Sequence, residues 1–247
     1  MAWTFSIFPV NILEPGTVTV SGITDTGFPV SRLYDRSTGF FWKATATEAK
    51  TFHVDQGAGD NLPVDILAVG LNNFAGQAMQ WQHSDTGADW TDAVTDWNQA
   101  ESAAFVKALS SPLTHRYWQL TLASMTNPRC SEIFMGPEYK FKAQRSNKPS
   151  GALSSNVQWN RTMGGLERST KFGKSRRTRT YTVWLDENES ELSELLEAID
   201  YLDDLSKPFF FRDHKNDYFW ARFADDPFFD FDHVDRTHLT LDFVEML

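Results

Sequence analysis

Apolar and polar residues alternate through much of the first half of the chain. Within residues 116–122, RYWQLTL, Tyr117, Gln119 and Thr121 interleave with Trp118, Leu120 and Leu122, the period-two pattern that buries one face of an antiparallel sheet. Shorter β-like runs at 17–21, 51–54, 64–71, 78–84 and 131–135 are separated by Gly, Asp, Asn and Pro. Strands spaced in this way predict a sandwich. Ser84, Asp85, Thr86 and Gly87 combine turn-nucleating side chains with a glycine that tolerates positive φ, so a hairpin is expected before Trp90. One stretch reads as helix: in 99–109, Ala103, Val106 and Leu109 are spaced to share a face, and Pro112 follows as a stop.

The second half changes character. Residues 144–155, QRSNKPSGALSS, hold few large apolar side chains, which predicts a linker between a domain at 1–143 and another at 156–247. Strands are expected at 157–163 and 181–185. Between them lies a basic run, Arg168, Lys171, Lys174, Arg176, Arg177 and Arg179. An acidic helix is predicted over 189–205, with Leu192, Leu195, Leu196, Ile199 and Leu202 as its apolar stripe and Glu191, Glu194 and Glu197 among its acids. Pro208 closes it. The aromatic runs 209–211 and 218–220 flank RDHKND and read as a hairpin, and 238–245 reads as a closing strand.

Composition narrows the class. With 247 residues, 41% hydrophobic and 14% aromatic, the chain can bury a core for one large domain or two moderate ones. A formal net charge of -10 argues against wholesale phosphate-backbone binding, so nucleic acid is a poor default partner. Cys130 is the single cysteine; it makes no intrachain disulfide and no cysteine-rich zinc site, and is expected to be buried. The first residues lack a basic region and are interrupted by Pro9 and Pro15, so neither a signal peptide nor a membrane span is expected, and synthesis in a cytoplasm is.

Candidate chemistry is sparse. Asp55, Asp60 and Asp65 surround a Gly-rich loop and have the hard oxygen ligands that suit calcium, with solvated loop aspartates as the competing explanation. Trp42, Trp90 and Trp97 are candidates for stacking on a sugar ring, with core packing as the competing explanation. Asp225, Asp226, Asp230, Asp232 and Asp235 cluster near His233 without an HExxH or EF-hand spacing. No GxSxG, P-loop or dinucleotide fingerprint occurs. No catalytic residue and no cofactor are therefore expected, and a paired-carboxylate glycoside hydrolase is the third-ranked reading.

Several of these pieces together resemble a known fold. Arg32 to Asp35, Phe41 to Lys43, Phe52 to Gly57, Trp81 to Trp90, Arg116 to Leu120 and Ser131 to Gly136 follow the order found in discoidin-like, galactose-binding-like jelly rolls. The resemblance covers about half of the chain. It implies a β-sandwich whose end loops hold sugar or lipid.

A second resemblance covers the last ninety or so residues. A basic strand leading to Tyr181-Thr182-Val183-Trp184-Leu185, the Leu-striped helix, Lys207 to Asp213, Phe219 to Phe223 and a closing strand ending at Val244-Glu245 are similar to the ring-forming module of distal-tail and tail-tip proteins of long-tailed bacteriophages. In many of those proteins the ring module comes first, an order opposite to this one. The two resemblances together imply a mainly β chain, with a discoidin-like sandwich followed by a β-barrel-like module with one amphipathic helix. They imply a structural virion component of a tail tip or baseplate. Its partners would be copies of itself in a three- or six-fold ring, other tail proteins and a host-surface glycan. In that picture the basic run and the acidic helix are candidate assembly faces between copies. Solvated surfaces of opposite sign, or nucleic-acid contact by the basic run alone, are the alternatives. A carbohydrate-binding protein that touches the host through the jelly-roll loops is the runner-up function.

Overall fold

The computed structural model describes residues 3–22, 24–37, 39–59, 61–144, 150–154, 157–161, 167–171, 176–186, 191–202, 205–233 and 236–246. In chain order its strands are β1 (Trp3–Phe8), β2 (Thr17–Val20), β3 (Trp42–Lys43), β4 (Glu48–Asp55), β5 (Val64–Val69), β6 (Ala78–Ser84), β7 (Thr91–Asn98), β8 (Phe105–Leu113), β9 (Tyr117–Met125) and β10 (Arg129–Cys130). They continue with β11 (Ile133–Gly136), β12 (Tyr139–Gln144), β13 (Ser150–Ser154), β14 (Val157–Arg161), β15 (Glu167–Lys171), β16 (Arg176–Asp186), β17 (Phe209–Arg212), β18 (Tyr218–Phe223), β19 (Phe228–His233) and β20 (Arg236–Glu245). A single-turn 3-10 helix spans Val30–Leu33 and one α-helix, α1, spans Glu191–Tyr201. The chain is mainly β.

It divides into two compact units, Phe8–Glu138 and the combination of Met1–Ile7 with Tyr139–Leu247. This differs from the division at 144–155 expected from composition. Phe5 and Ile7 are buried in the core of the second unit, and β1 pairs antiparallel with β12, Phe5 opposite Phe141. The expected linker also contains β13, which pairs with β16 from Ser150 opposite Thr180 to Ser154 opposite Arg176.

The Phe8–Glu138 unit is an antiparallel sandwich. A five-stranded sheet, β2-β4-β9-β6-β7, and a three-stranded sheet, β11-β5-β8, enclose one core. Alternation does what the sequence predicts in β9: Trp118, Leu120 and Leu122 are buried while Tyr117, Gln119 and Thr121 are half-exposed. The β6–β7 hairpin turns on Gly87 at φ 76°, and the Ser84 hydroxyl accepts the backbone N–H groups of Thr86 (3.2 Å) and Gly87 (3.0 Å).

The helix expected at 99–109 is instead strand β8, which pairs with β5 from Leu113 to Phe105. Its core-contacting residues are Phe105, Leu109 and Leu113, and a spacing of four suits a strand face as well as a helix face. Pro112 fits because β8 is an edge strand.

In the second unit the sheet runs β12-β1-β17-β18-β20-β16-β13, with β19 also paired to β20. The aromatic hairpin is β17–β18, in register from Phe209 opposite Ala221 to Arg212 opposite Tyr218. Phe209, Phe211, Phe219 and Phe223 point into the core, where Leu195, Ala198 and Leu202 of the helix region meet them. These three, with Ile199 packed beside them, form a stripe at i, i+3, i+4 and i+7. Leu196, expected in that stripe, is instead 47% exposed.

Candidate functional site

The loops at one end of the sandwich bring aromatic rings and cations together. Asp25 starts a turn in which its Oδ1 accepts the N–H of Gly27 (3.0 Å) and its carbonyl that of Phe28 (2.9 Å). Pro29 precedes the 3-10 helix, which buries Leu33 and carries Arg32. The chain returns as β3, which pairs with β10, Lys43 opposite Arg129. Backbone bonds from Asp25 to Lys43 (3.0 Å) and from Asn73 to Arg129 (3.3 Å) attach the flanking segments.

On this frame the Arg32 guanidinium carbon lies 5.3 Å from the Phe28 ring centre and 5.2 Å from that of Phe40. Lys43 sits 5.6 Å over Phe28, and Arg129 5.7 Å over Phe41. Arg32 Nη1 also donates to the Phe41 carbonyl at 3.4 Å. Phe40 is 57% exposed. Phe28 and Phe41 are half-buried. Such a cluster can stack an apolar ligand face on Phe40 while presenting fixed donors beside it.

The three tryptophans expected at a sugar site do not meet. Trp42 is fully buried, edge-on to Phe52 at 4.9 Å, because its strand position faces the core. Trp97 packs on Phe105 and is covered by Lys107 at 4.7 Å. Trp90 belongs to the other end of the sandwich, against His53 at 5.6 Å. Phe40 and Phe41 lie outside any strand, where alternation gives no signal; the adjacent Phe40-Phe41 pair after Gly39 is the one sequence cue to this aromatic cluster.

The calcium candidates are engaged elsewhere. Arg116 binds the Asp55 carboxylate with two bonds, Nε to Oδ1 at 2.7 Å and Nη2 to Oδ2 at 2.9 Å, and holds its pKa below the usual carboxylate value. Asp65 Oδ2 accepts the Glu138 N–H at 2.7 Å, and Asp60 lies outside the described residues. Among the described residues no group of three His, Cys, Asp or Glu is placed to hold a metal ion.

A buried charged cluster occurs elsewhere in the same domain. Arg36, at φ 56°, turns its guanidinium inward onto Glu14 and the Pro9 carbonyl (2.8 Å). Glu132 is fully buried, and beyond the Arg36 backbone N–H beside it no hydrogen bond reaches its carboxylate. Burial pushes its pKa well above 4.5, the Asp35 carboxylate adds to this, and Arg36 opposes it. A carboxyl raised in this way contributes stability that is fully present below the unfolded value and is lost as pH rises through the folded one. Glu132→Gln is therefore expected to match the parent in acid and to exceed it increasingly as pH rises above the ordinary carboxylate value. Urea midpoints at pH 5 and pH 8 check this, and a parent more stable than the variant at pH 8 would refute it.

In the second unit two members of the basic run, Arg177 and Arg179, have partners within the chain. Arg177 grips Glu245 through Nη2–Oε1 at 2.8 Å and Nε–Oε2 at 3.1 Å, approaches Asp217 at 3.6 Å, and lies 4.5 Å over Phe219. Arg179 Nε meets the buried Asp213 at 3.4 Å. Their partners are thus the closing strand and the hairpin turn, reached because 177 and 179 continue the face that buries Tyr181 and Val183. The Nε of Arg176 is buried without a hydrogen bond. Glu194 and Glu197 are exposed on α1. Arg168 and Lys171 belong to β15 and Glu191 begins α1, with their side chains outside the description; Lys174 and Asp235 lie outside the described residues.

The architecture is that of a mainly β protein with an antiparallel β-sandwich over about half of its length and, among the described residues, one short α-helix. No family model matches the sequence, and no curated protein matches it. The sandwich is similar to several solved carbohydrate-binding modules. CpGH89CBM32-6 produced by Clostridium perfringens is 18% identical, with 51% of this chain and 98% of that one covered, at a TM-score of 0.42. Chitosan-binding module 1 of a chitosanase/glucanase from Paenibacillus sp. IK-5 is 17% identical over 52% of this chain and 99% of that one, at 0.44. The CBM32 of AlyQ, in complex with 4,5-unsaturated mannuronic acid, is 18% identical over 48% and 92%, at 0.38.

Proposed function

We propose that the Phe8–Glu138 domain binds carbohydrate through the loop cluster around Phe40. The observation that carries this reading is the Phe40 ring, 57% exposed and backed by the Arg32 guanidinium at 5.2 Å. A pyranose offers one apolar C–H face and an edge of hydroxyls, and a rigid ring flanked by fixed donors complements both. Phe40→Ala is expected to weaken retention of the full chain in native gels containing galactan, chitosan or polygalacturonate about tenfold. Its melting temperature should be unchanged, because an exposed ring contributes little to folding. Equal retention of variant and parent, or no retention of the parent by any of the three polymers, would overturn the reading.

We further propose that the second unit is an assembly module, as in the tail tip of a phage virion, where it would display the sandwich. The supporting observation is strand β13. It ends the sheet path among the described residues, and its sequence SGALS carries none of the charges or prolines that usually guard an edge from pairing with another chain. Light scattering at rising concentration should show a multimer that Ala152→Lys dissolves. A parent that stays monomeric at every concentration would count against assembly through this edge.

A further inference from the structure

We propose that the loop site selects a saccharide bearing a carboxylate or sulfate group, its sugar face on Phe40 and its anionic group between Arg32, Lys43 and Arg129. This rests on the carbohydrate-binding reading and adds the ligand class.

Acidic residues outnumber Lys and Arg by 33 to 23, and several cations elsewhere in the chain are neutralised by carboxylates: Arg36 with Glu14, Lys50 with Glu48, Arg116 with Asp55, Arg177 with Glu245 and Arg179 with Asp213. Arg32, Lys43 and Arg129 differ from these five; Lys107 over Trp97 is a further such cation, but only these three gather around the Phe28, Phe40 and Phe41 rings. Among the described residues none of the three forms a salt bridge, and each lies over an aromatic ring instead. Asp35 feels Arg32 only through space, and the Oδ1 of Asp25 is taken by the Gly27 N–H.

Ring contacts orient these cations without neutralising them. The Arg32 guanidinium, beside the Phe28 and Phe40 rings and with Nη1 bonded to the Phe41 carbonyl, keeps its charge and its remaining N–H donors for carboxylate or sulfate oxygens. The register of β3 with β10 sets Lys43 beside Arg129, so a second and a third positive charge stand near the first. A neutral sugar would use the donors and leave the charges unmatched. An anionic bilayer would match them, but its broad surface would also face the remainder of a chain whose net charge is -10, an unfavourable approach within the screening length of about 8 Å.

Titration calorimetry of the full chain with oligogalacturonate, sulfated dextran and a neutral galactan of similar length tests this, alongside sedimentation with vesicles of phosphatidylcholine and phosphatidylserine. At least one anionic saccharide is expected to bind tenfold or more tightly than galactan, and to lose affinity as salt rises. Carboxylate and sulfate preference separate between the first two ligands. Arg32→Gln should lower affinity for the anionic ligand five- to tenfold and leave galactan binding nearly unchanged. Lys43→Gln, whose ammonium only overlies Phe28, serves as a second variant should Arg32→Gln misfold. Galactan bound as tightly as the anionic ligands, and indifferent to both variants, would overturn the ligand class while leaving the carbohydrate reading intact. Absence of binding to any saccharide would overturn both. Anionic binding unaffected by Phe40→Ala would be mere ion exchange, and vesicle binding without saccharide binding would assign the site to membranes; either overturns the proposal.

Discussion

Trp118→Ala is expected to destabilise the Phe8–Glu138 domain by about 3 to 5 kcal/mol, the range for removing a fully buried large aromatic. Trp118 sits on β9, the central strand of the five-stranded sheet, between β4 and β6. Its ring is fully buried, 5.5 Å from that of Trp81, and the stacked pair His83–His115 closes over it, with centroids 5.6 and 6.2 Å away. Its indole N–H donates to the His115 carbonyl at 3.0 Å. The substitution therefore removes core contacts, opens a cavity between the two sheets, and takes away one of the two hydrogen bonds to the His115 carbonyl, leaving that from Gln56 Nε2 at 3.0 Å. Trp118→Phe keeps most of the volume and should cost markedly less. Because the chain has two units, a single melting curve mixes two transitions. Hydrogen exchange of peptides from β4, β6 and β9 reads the effect where it arises. A loss below about 1 kcal/mol there would show that the site collapses around the alanine.

Trp118 was legible in the sequence and Trp42 was not, for a physical reason. The alternation through 116–122 assigns Trp118 to the buried face by itself. β3 has only two residues, Trp42 and Lys43, so no local periodicity defines its inner side. Its orientation comes from pairing with Cys130, far along the chain. Arg177 and Arg179 share that difficulty. Their charges were visible as a run, yet their partners, Glu245, Asp217 and Asp213, come from the closing strand and the hairpin turn. β1 is the extreme case: 3–8 looks like an unremarkable apolar start, and only its pairing with β12 reveals that it completes the second unit. Strand positions set by local alternation could be read from the chain; those set by a distant partner could not.

Asp213 gathers this non-local information into one side chain, which is why Asp213→Ala should be strongly damaging to the second unit, at about 3 kcal/mol. The carboxylate is fully buried. Its Oδ1 accepts the N–H groups of Lys215 (2.8 Å) and Asp217 (3.0 Å), shaping the turn between β17 and β18, while Oδ2 faces Arg179. Within the same turn, Asn216 takes φ 63°, a conformation that costs energy unless neighbours hold it. Removing the carboxylate orphans two donors and leaves the Arg179 charge, 16% exposed, without its partner. Breaking a buried pair from one side costs about 3 to 5 kcal/mol, and the residual water at Arg179 places this one near the lower limit. Asp213→Asn retains acceptor and shape and should recover part of the loss. Adding Arg179→Met to Asp213→Ala should recover more, because the uncompensated charge then disappears. Protection factors for β17 and β18 measure both. If Arg179→Met and Asp213→Ala instead add without coupling, the damage comes from the turn alone, and the basic strand has no part in holding the aromatic hairpin.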